Sequence, residues 1–211
     1  MSEHGGTGLD VTGQDNKTRK EKQMYEAKFH LESVTPYGPG KFYEVPKLPK
    51  ELSKDYEIRT WRERCNYDKE GFVFFPRMGF KYCLISASAF LDEQIPGKGK
   101  RTYKKRFEAG IDIIEDLHLP FRKDEVEGEW FMVPSDGKAG GTTRVPKCFP
   151  VIPTWEGDLR ILVMDDLITK PVLEKHVAEA GKFVGIGRFR PERRGFYGRF
   201  IYTSVEYTER G

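Results

Sequence analysis

"ITKPVLEKHVAEAGKFVGIGRFRPERRGFYGRFIYTSVEY" occupies residues 168 to 207, and its reading decides the fold. It opens as a helix. Thr169 is placed to cap it, with Ile168 and Leu173 at hydrophobic-staple positions. Val172, Leu173, His176, Val177 and Ala180 form an inner stripe, and Gly181 is placed to end the helix. The stretch closes as a strand, "YGRFIYTSVEY", rich in aromatic and β-branched residues. Between them lies a loop holding Gly185, Gly187, Gly195 and Gly198 with Arg188, Arg190, Arg193, Arg194 and Arg199. This GxG follows a helix and precedes a strand. A dinucleotide fingerprint has the opposite order, so that reading is excluded, and no Walker lysine motif is present.

Working outward, "YEAKFHLESV" alternates Ala27, Phe29 and Leu31 with polar residues, as a half-buried strand does. "TPYGPGKFYEVPKLPKELSKD" is a Pro/Gly-rich loop. "YEIRTWRERCNYDKEG" is partly helical and "FVFFP" is a short buried strand. Phe80, Leu84, Ala87 and Leu91 recur at helical spacing. "PGKGKRTYKKRFEAG" is a basic loop running into a short helix, capped by Thr102 and stopped by Gly110. "IDIIEDLHL" and "DLRILVM" are strands, and the chain between them reads as a hairpin or an extended excursion around "SDGKAGGTT". Stripped of loops, the order is strand, helix, strand, strand, helix, strand. The expected class is α+β: a ferredoxin-like or RRM-like βαββαβ core with long loop insertions. Residues 1 to 24 are polar and lack apolar periodicity, and are expected to be a disordered arm. Residues 25 to 211 are expected to form one domain.

The 211 residues are 33% charged with a net charge of only +3, so the distribution of charge matters more than its sum. Lys98, Lys100, Arg101, Lys104, Lys105 and Arg106 surround Tyr103. Arg59, Arg62 and Arg64 flank Trp61. Acidic residues concentrate elsewhere, notably in "EDLHLPFRKDEVEGE". Arginine forks and glycine backbone suit a sugar–phosphate chain, and Tyr197 and Trp61 suit base stacking. The competing reading is a glycine-rich turn with solvated arginines. Cys65, Cys83 and Cys148 lie far apart with no metal-ligand spacing, which points to a reducing compartment. With no apolar leader or bilayer-length run, a cytoplasmic location is expected.

"FPVIPTWEGDLRILVMDDLITKPVLEKHVAEAGKFVGIGRFRPERRGFYGRF", "DYEIRTWRERCNYDKEGFVFFPRMGFKYCLISAS" and "TPYGPGK" resemble a family of phage and prophage proteins. That family is similar in turn to the RAMP superfamily, the RRM-like backbone and processing subunits of CRISPR surveillance complexes. The superfamily carries a glycine-rich loop between its last helix and last strand, where residues 185 to 198 fall. The resemblance implies single-stranded RNA or DNA binding, with polymerisation along the strand, by Gly185, Gly187, Arg188, Arg190, Gly195, Tyr197, Gly198 and Arg199. A homo-oligomer or a protein partner is expected, and the residues themselves give no expectation of a cofactor or a metal. The chain is short for such a subunit and lacks a recognisable thumb insertion.

A catalytic reading would need a histidine to move a proton beside arginines that steady a phosphate. His30 alternates outward from Phe29 and Leu31 and is the candidate. His176 belongs to a helix core. Asp165 and Asp166, adjacent at a strand end, point to opposite sides and make a poor metal pair. A non-enzymatic binding protein is therefore favoured. A protein-interaction factor or self-assembling subunit, for example one interfering with host CRISPR complexes, is the alternative, and an RNA endonuclease using His30 ranks behind it.

Overall fold

Tyr25, Ala27, Phe29 and Leu31 are buried on one face of a strand, and Leu159, Ile161 and Val163 continue that face on its neighbour. This is the period-two pattern of a sheet covered on one side only. The computed structural model describes residues 24–135 and 141–210. Its strands are β1 (Met24–Ser33), β2 (Phe72–Phe75), β3 (Ile111–Ile113), β4 (Leu117–Arg122), β5 (Glu127–Pro134), β6 (Arg144–Val151), β7 (Glu156–Val163) and β8 (Phe200–Arg210). Its α-helices are α1 (Ser53–Thr60), α2 (Arg77–Leu91), α3 (Lys104–Ala109) and α4 (Lys170–Glu179). The expected arm over residues 1 to 24 lies outside the described residues, apart from Met24, which opens β1.

The main sheet runs β3-β7-β1-β8, with every pair antiparallel. Read as β1-α2-β3 and β7-α4-β8, this is the ferredoxin-like βαββαβ order, and the fold is α+β as expected. Phe80, Leu84 and Ala87 of α2 and Leu173 and Val177 of α4 complete the core. The β5–β6 hairpin forms as expected, paired from Glu127↔Val151 to Pro134↔Arg144.

Four local expectations are corrected. "IDIIEDLHL" is not one strand. Ile111–Ile113 pairs with β7, but Leu117–Arg122 leaves the sheet and pairs with β2. The break carries Glu115, which accepts a bond from Arg160, and Asp116, which accepts the Arg77 N–H at the start of α2. Gly181 does not end the last helix. The chain continues as a π-helical turn through Val184 and stops at Gly185, where φ is +71°. A Cβ on Gly181 would overlap the Phe200 carbonyl, so this glycine serves the close approach of β8. Thr102 does not cap α3. It bridges to Gln94, and Tyr103 holds the cap position. Thr169 does sit at the N-cap of α4, but its hydroxyl makes no capping bond.

His176 is fully buried, stacked on Phe107 at 4.3 Å and edge-on to Tyr103 at 5.7 Å. Its Nδ1 lies 2.7 Å from the Val172 carbonyl and its Nε2 has no partner. Burial pulls its pKa below the ordinary histidine value, against a smaller opposing effect of the Val172 bond. A depressed histidine favours the neutral folded form. Its contribution is present above the unfolded value of 6.5 and is lost as pH falls below it. Urea unfolding at mildly acidic and neutral pH should show the fold weakening in this window. His176→Phe should flatten the slope there while leaving the later carboxylate-driven acid loss in place.

Candidate nucleic-acid interface

The glycine-rich loop is pinned rather than open. The Ile186 N–H donates to Gly198, the Gly198 N–H to Pro36 at 2.7 Å, and the Arg188 N–H to Gly38 at 2.7 Å. The Tyr197 N–H donates to Phe189 and the Arg199 N–H to the Thr35 hydroxyl. Gly187 has φ +75°, and a Cβ there would run into the Tyr37 ring. The amides of Gly185, Gly195 and Gly198 are spent on internal bonds, so these glycines shape the loop instead of cradling a phosphate.

The loop's arginines then separate. Arg188 is exposed, with its guanidinium 4.1 Å over the Phe149 ring and 5.3 Å over Phe189. Among the described residues it has no carboxylate partner. Partial burial, then the neighbouring Arg64 charge, lowers its pKa from the ordinary arginine value. Arg190 is occupied: it grips Glu192 at 2.7 and 2.9 Å and donates to the Gly187 carbonyl. Arg193 is exposed at the tip, 3.9 Å from Glu192, and Arg194 is exposed with φ +65°. Arg199 turns away to the Lys182 carbonyl. Tyr197 is buried, and its hydroxyl donates to Glu129 at 2.6 Å, so it offers no free ring face.

Arg188 and Arg190 border a groove of about 440 Å³ between the loop, the first half of α2 and the Tyr37–Lys41 segment. Lys41, Asn66, Tyr82 and Ser86 line it as well. None of these four was singled out from sequence. The signal was present in "TPYGPGK", whose Gly38 carries the backbone bridge to Arg188.

Lys100, Arg101, Lys104, Lys105 and Arg106 line a second groove of about 840 Å³, which shares no residue with the first. Lys98 is exposed on the same loop. Only Arg106 of the six is ion-paired among the described residues, to Asp165 at 3.1 Å. Arg59 and Trp61 of the other cluster are occupied within the fold, while Arg62 is half-buried with no carboxylate partner among the described residues. Arg59 is clamped by Glu51 and the Pro46 carbonyl. Trp61 is buried beneath Gly128, and Arg62 lies over its ring at 4.1 Å.

His30 does face the uncovered side of the sheet, but in a lattice of paired charges. Its Nδ1 is 2.8 Å from Asp158, which also binds Lys28. Glu26 binds Arg160 and Arg210, and Arg160 also binds Glu115. Bonds from Arg160 and Arg210 hold the Glu26 carboxyl below its ordinary pKa, and bonds from His30 and Lys28 do the same for Asp158. No Phe, Tyr or Trp points outward from this face among the described residues. It offers neither stacking rings nor spare positive charge. The one histidine deep in the helix layer, His176, is walled in by rings. Among the described residues no group of three or more His, Cys, Asp or Glu is placed to hold a metal.

The chain matches no protein-family model, and no curated protein matches it. Solved structures do match, 107 chains in all. One is a chain of the Type III-B Cmr-beta complex, seen by cryo-EM bound to cognate target RNA. It superposes with a TM-score of 0.53 at 11% identity, over 89% of this chain and 61% of that one. The likeness is one of fold. The chain thus spans about three fifths of the Cmr-beta chain's length. Cmr6 from Pyrococcus furiosus, a crystal structure, aligns over 85% of this chain and 98% of its own, at 11% identity and a TM-score of 0.44.

Proposed function

We propose that this protein is a non-enzymatic, RAMP-like binder of single-stranded RNA or DNA, which it takes along the groove edged by Arg188. The observation that carries the reading is Arg188 itself. A rigid glycine loop holds an exposed guanidinium with no carboxylate partner over an aromatic ring, beside a second cation. An arginine so placed is a ready clamp for a phosphate. Lys41 adds positive charge to the groove, and the 97–106 loop, whose cations other than Arg106 have no ion pair among the described residues, supplies a second basic surface. The Cmr-beta neighbour, seen with target RNA, supports the reading at the level of fold. The sequence resemblance to phage and prophage proteins favours a phage-encoded factor working in the host cytoplasm and oligomerising along the strand.

Filter binding of labelled single-stranded oligonucleotides across a salt series tests this. Affinity should fall steeply with salt, because phosphate contacts release counterions. Arg188→Ala should weaken binding across all sequences and lower the salt slope by about one. Arg190→Ala, which breaks the Glu192 and Gly187 contacts, should act mainly on loop stability. Absence of binding at low salt would refute the proposal.

One observation favours a protein partner in addition. On the β5–β6 hairpin, Trp130 and Met132 stand 47% and 56% exposed. Light scattering of nucleic-acid-free protein reports whether this apolar face joins copies of the chain.

A further inference from the structure

The outer side of α2 carries an apolar stripe that the core does not use. Met78, Tyr82, Ser86 and Phe90 are spaced four residues apart, so they stand one above another on the helix. Tyr82 and Phe90 are each 61% exposed and Met78 is 49% exposed. Phe183, from the π-helical turn after α4, leans against Phe90 with ring centroids 5.0 Å apart. The core takes a different stripe of the same helix, Phe80, Leu84 and Ala87. Two large aromatic rings are thus left in water on a helix that does not need them for packing.

What flanks the stripe gives it meaning. Tyr82 and Ser86 line the groove with Arg188, Lys41 and the Arg190–Glu192 pair, whose carboxylate also bonds Ser86 and is neutralised by Arg190, so Arg188 and Lys41 carry the groove's spare charge. At its upper end α2 stops at Leu91, and the chain leads on to the loop of Lys98, Lys100, Arg101, Lys104 and Lys105. The stripe itself carries no charge. Asp92 and Glu93 lie between the helix and that loop, with Glu93 bound to Lys175 at 2.8 Å, so the exposed rings run from one basic surface toward the helix end that precedes the other. A rise of about 1.5 Å per residue puts Tyr82 and Phe90 about 12 Å apart along the helix, room for a few nucleotides. Cations beyond both ends and aromatic faces between them match a polymer that alternates phosphates with flat bases. An apolar protein helix would find its complement in the stripe but not in the charges beyond its ends.

We infer that Tyr82 and Phe90 are base-stacking residues, along which a single strand passes from the Arg188 groove toward the 97–106 loop. The inference rests on the proposed single-strand reading of that groove. It is sequence-tolerant, because every base offers a ring face.

Fluorescence anisotropy tests it with two labelled probes of equal length, an oligouridine and an abasic oligomer. Tyr82→Ala and Phe90→Ala should each weaken oligouridine binding by about fivefold or more. They should leave the salt slope and the abasic affinity unchanged, since no phosphate contact is lost. Tyr82→Phe should retain full affinity. Both replaced side chains are exposed, and circular dichroism checks that the variants stay folded. Alanine variants that bind oligouridine as well as the wild type, or that lose equal affinity for the abasic oligomer, overturn the stacking role. So does a change confined to oligomeric state in light scattering, which would make the stripe a protein contact. A wild type that binds neither probe overturns the Arg188 reading itself, and this inference with it.

Discussion

Gly198→Ala is expected to cost the fold about 3 kcal/mol or more, an effect read as a shift in the urea unfolding midpoint. Gly198 has φ +73°, and a side chain in the left-handed region costs about 1–2 kcal/mol. A Cβ there would also overlap the Ile186 carbonyl. The backbone has little freedom to give way. The Gly198 N–H donates to Pro36 and its carbonyl accepts from Ile186. Losing the two bonds adds about 1 kcal/mol each. Gly79→Ala is the counterpart. It lies in α2 with nothing within 4 Å of a new Cβ. There the substitution should stabilise by about 0.5–1 kcal/mol, since glycine weakens a helix interior. Opposite signs at two glycines would establish that loop geometry, not glycine content, holds Arg188 in place.

The parts of this molecule legible in its sequence are those where one apolar period runs unbroken. β1, α2, β7 and α4 each carry such a period, and with the short strand Ile111–Ile113 and the aromatic, β-branched β8 their order yields the βαββαβ core. The segment 111 to 119 reads as one strand because Ile111, Ile113, Leu117 and Leu119 share one parity, interrupted only by Glu115. The partners that pull the chain out of the sheet, Arg160 and Arg77, lie far away in sequence. Gly181 was misread because a glycine at a helix end looks the same whether it stops the helix or admits a neighbouring strand. Only the position of Phe200 distinguishes the two.

The candidate site divides along similar lines. That Arg190 would be neutralised by Glu192, two residues on, was visible in "RPER". That Tyr197 would be buried on Glu129, and Arg59 held by Glu51, depended on tertiary placement. The exposed stripe of Tyr82 and Phe90 was present at helical spacing but was overshadowed by the core stripe on the same helix. An outward period of four carries no meaning until the structure shows it uncovered.

Glu57→Ala is expected to be the most damaging single change outside the glycine loop, at about 3–5 kcal/mol. Glu57 is 1% exposed on α1, where that helix meets β6. It pairs with Arg64 at 3.0 Å and Lys147 at 3.0 Å, and accepts the Cys148 N–H at 2.9 Å. Arg64 is itself buried, donating to the Cys148 carbonyl and lying 5.1 Å from the Tyr43 and Phe149 ring centres. Removing the carboxylate strands this guanidinium in the interior with no counter-charge. Urea unfolding measures the loss, and replacing both partners, Glu57→Leu with Arg64→Met, should recover much of it, because the penalty comes from the orphaned charge. The consequence extends to the proposed site. Phe149 carries Arg188 on its other flank at 4.1 Å, so a shifted Arg64 disturbs the surface on which the exposed guanidinium rests. Glu57→Gln keeps an acceptor for the Cys148 amide but loses the charge. It should fold more stably than the alanine variant yet still weaken single-strand binding, with a salt slope near that of the wild type, because Arg188 is misplaced and not absent.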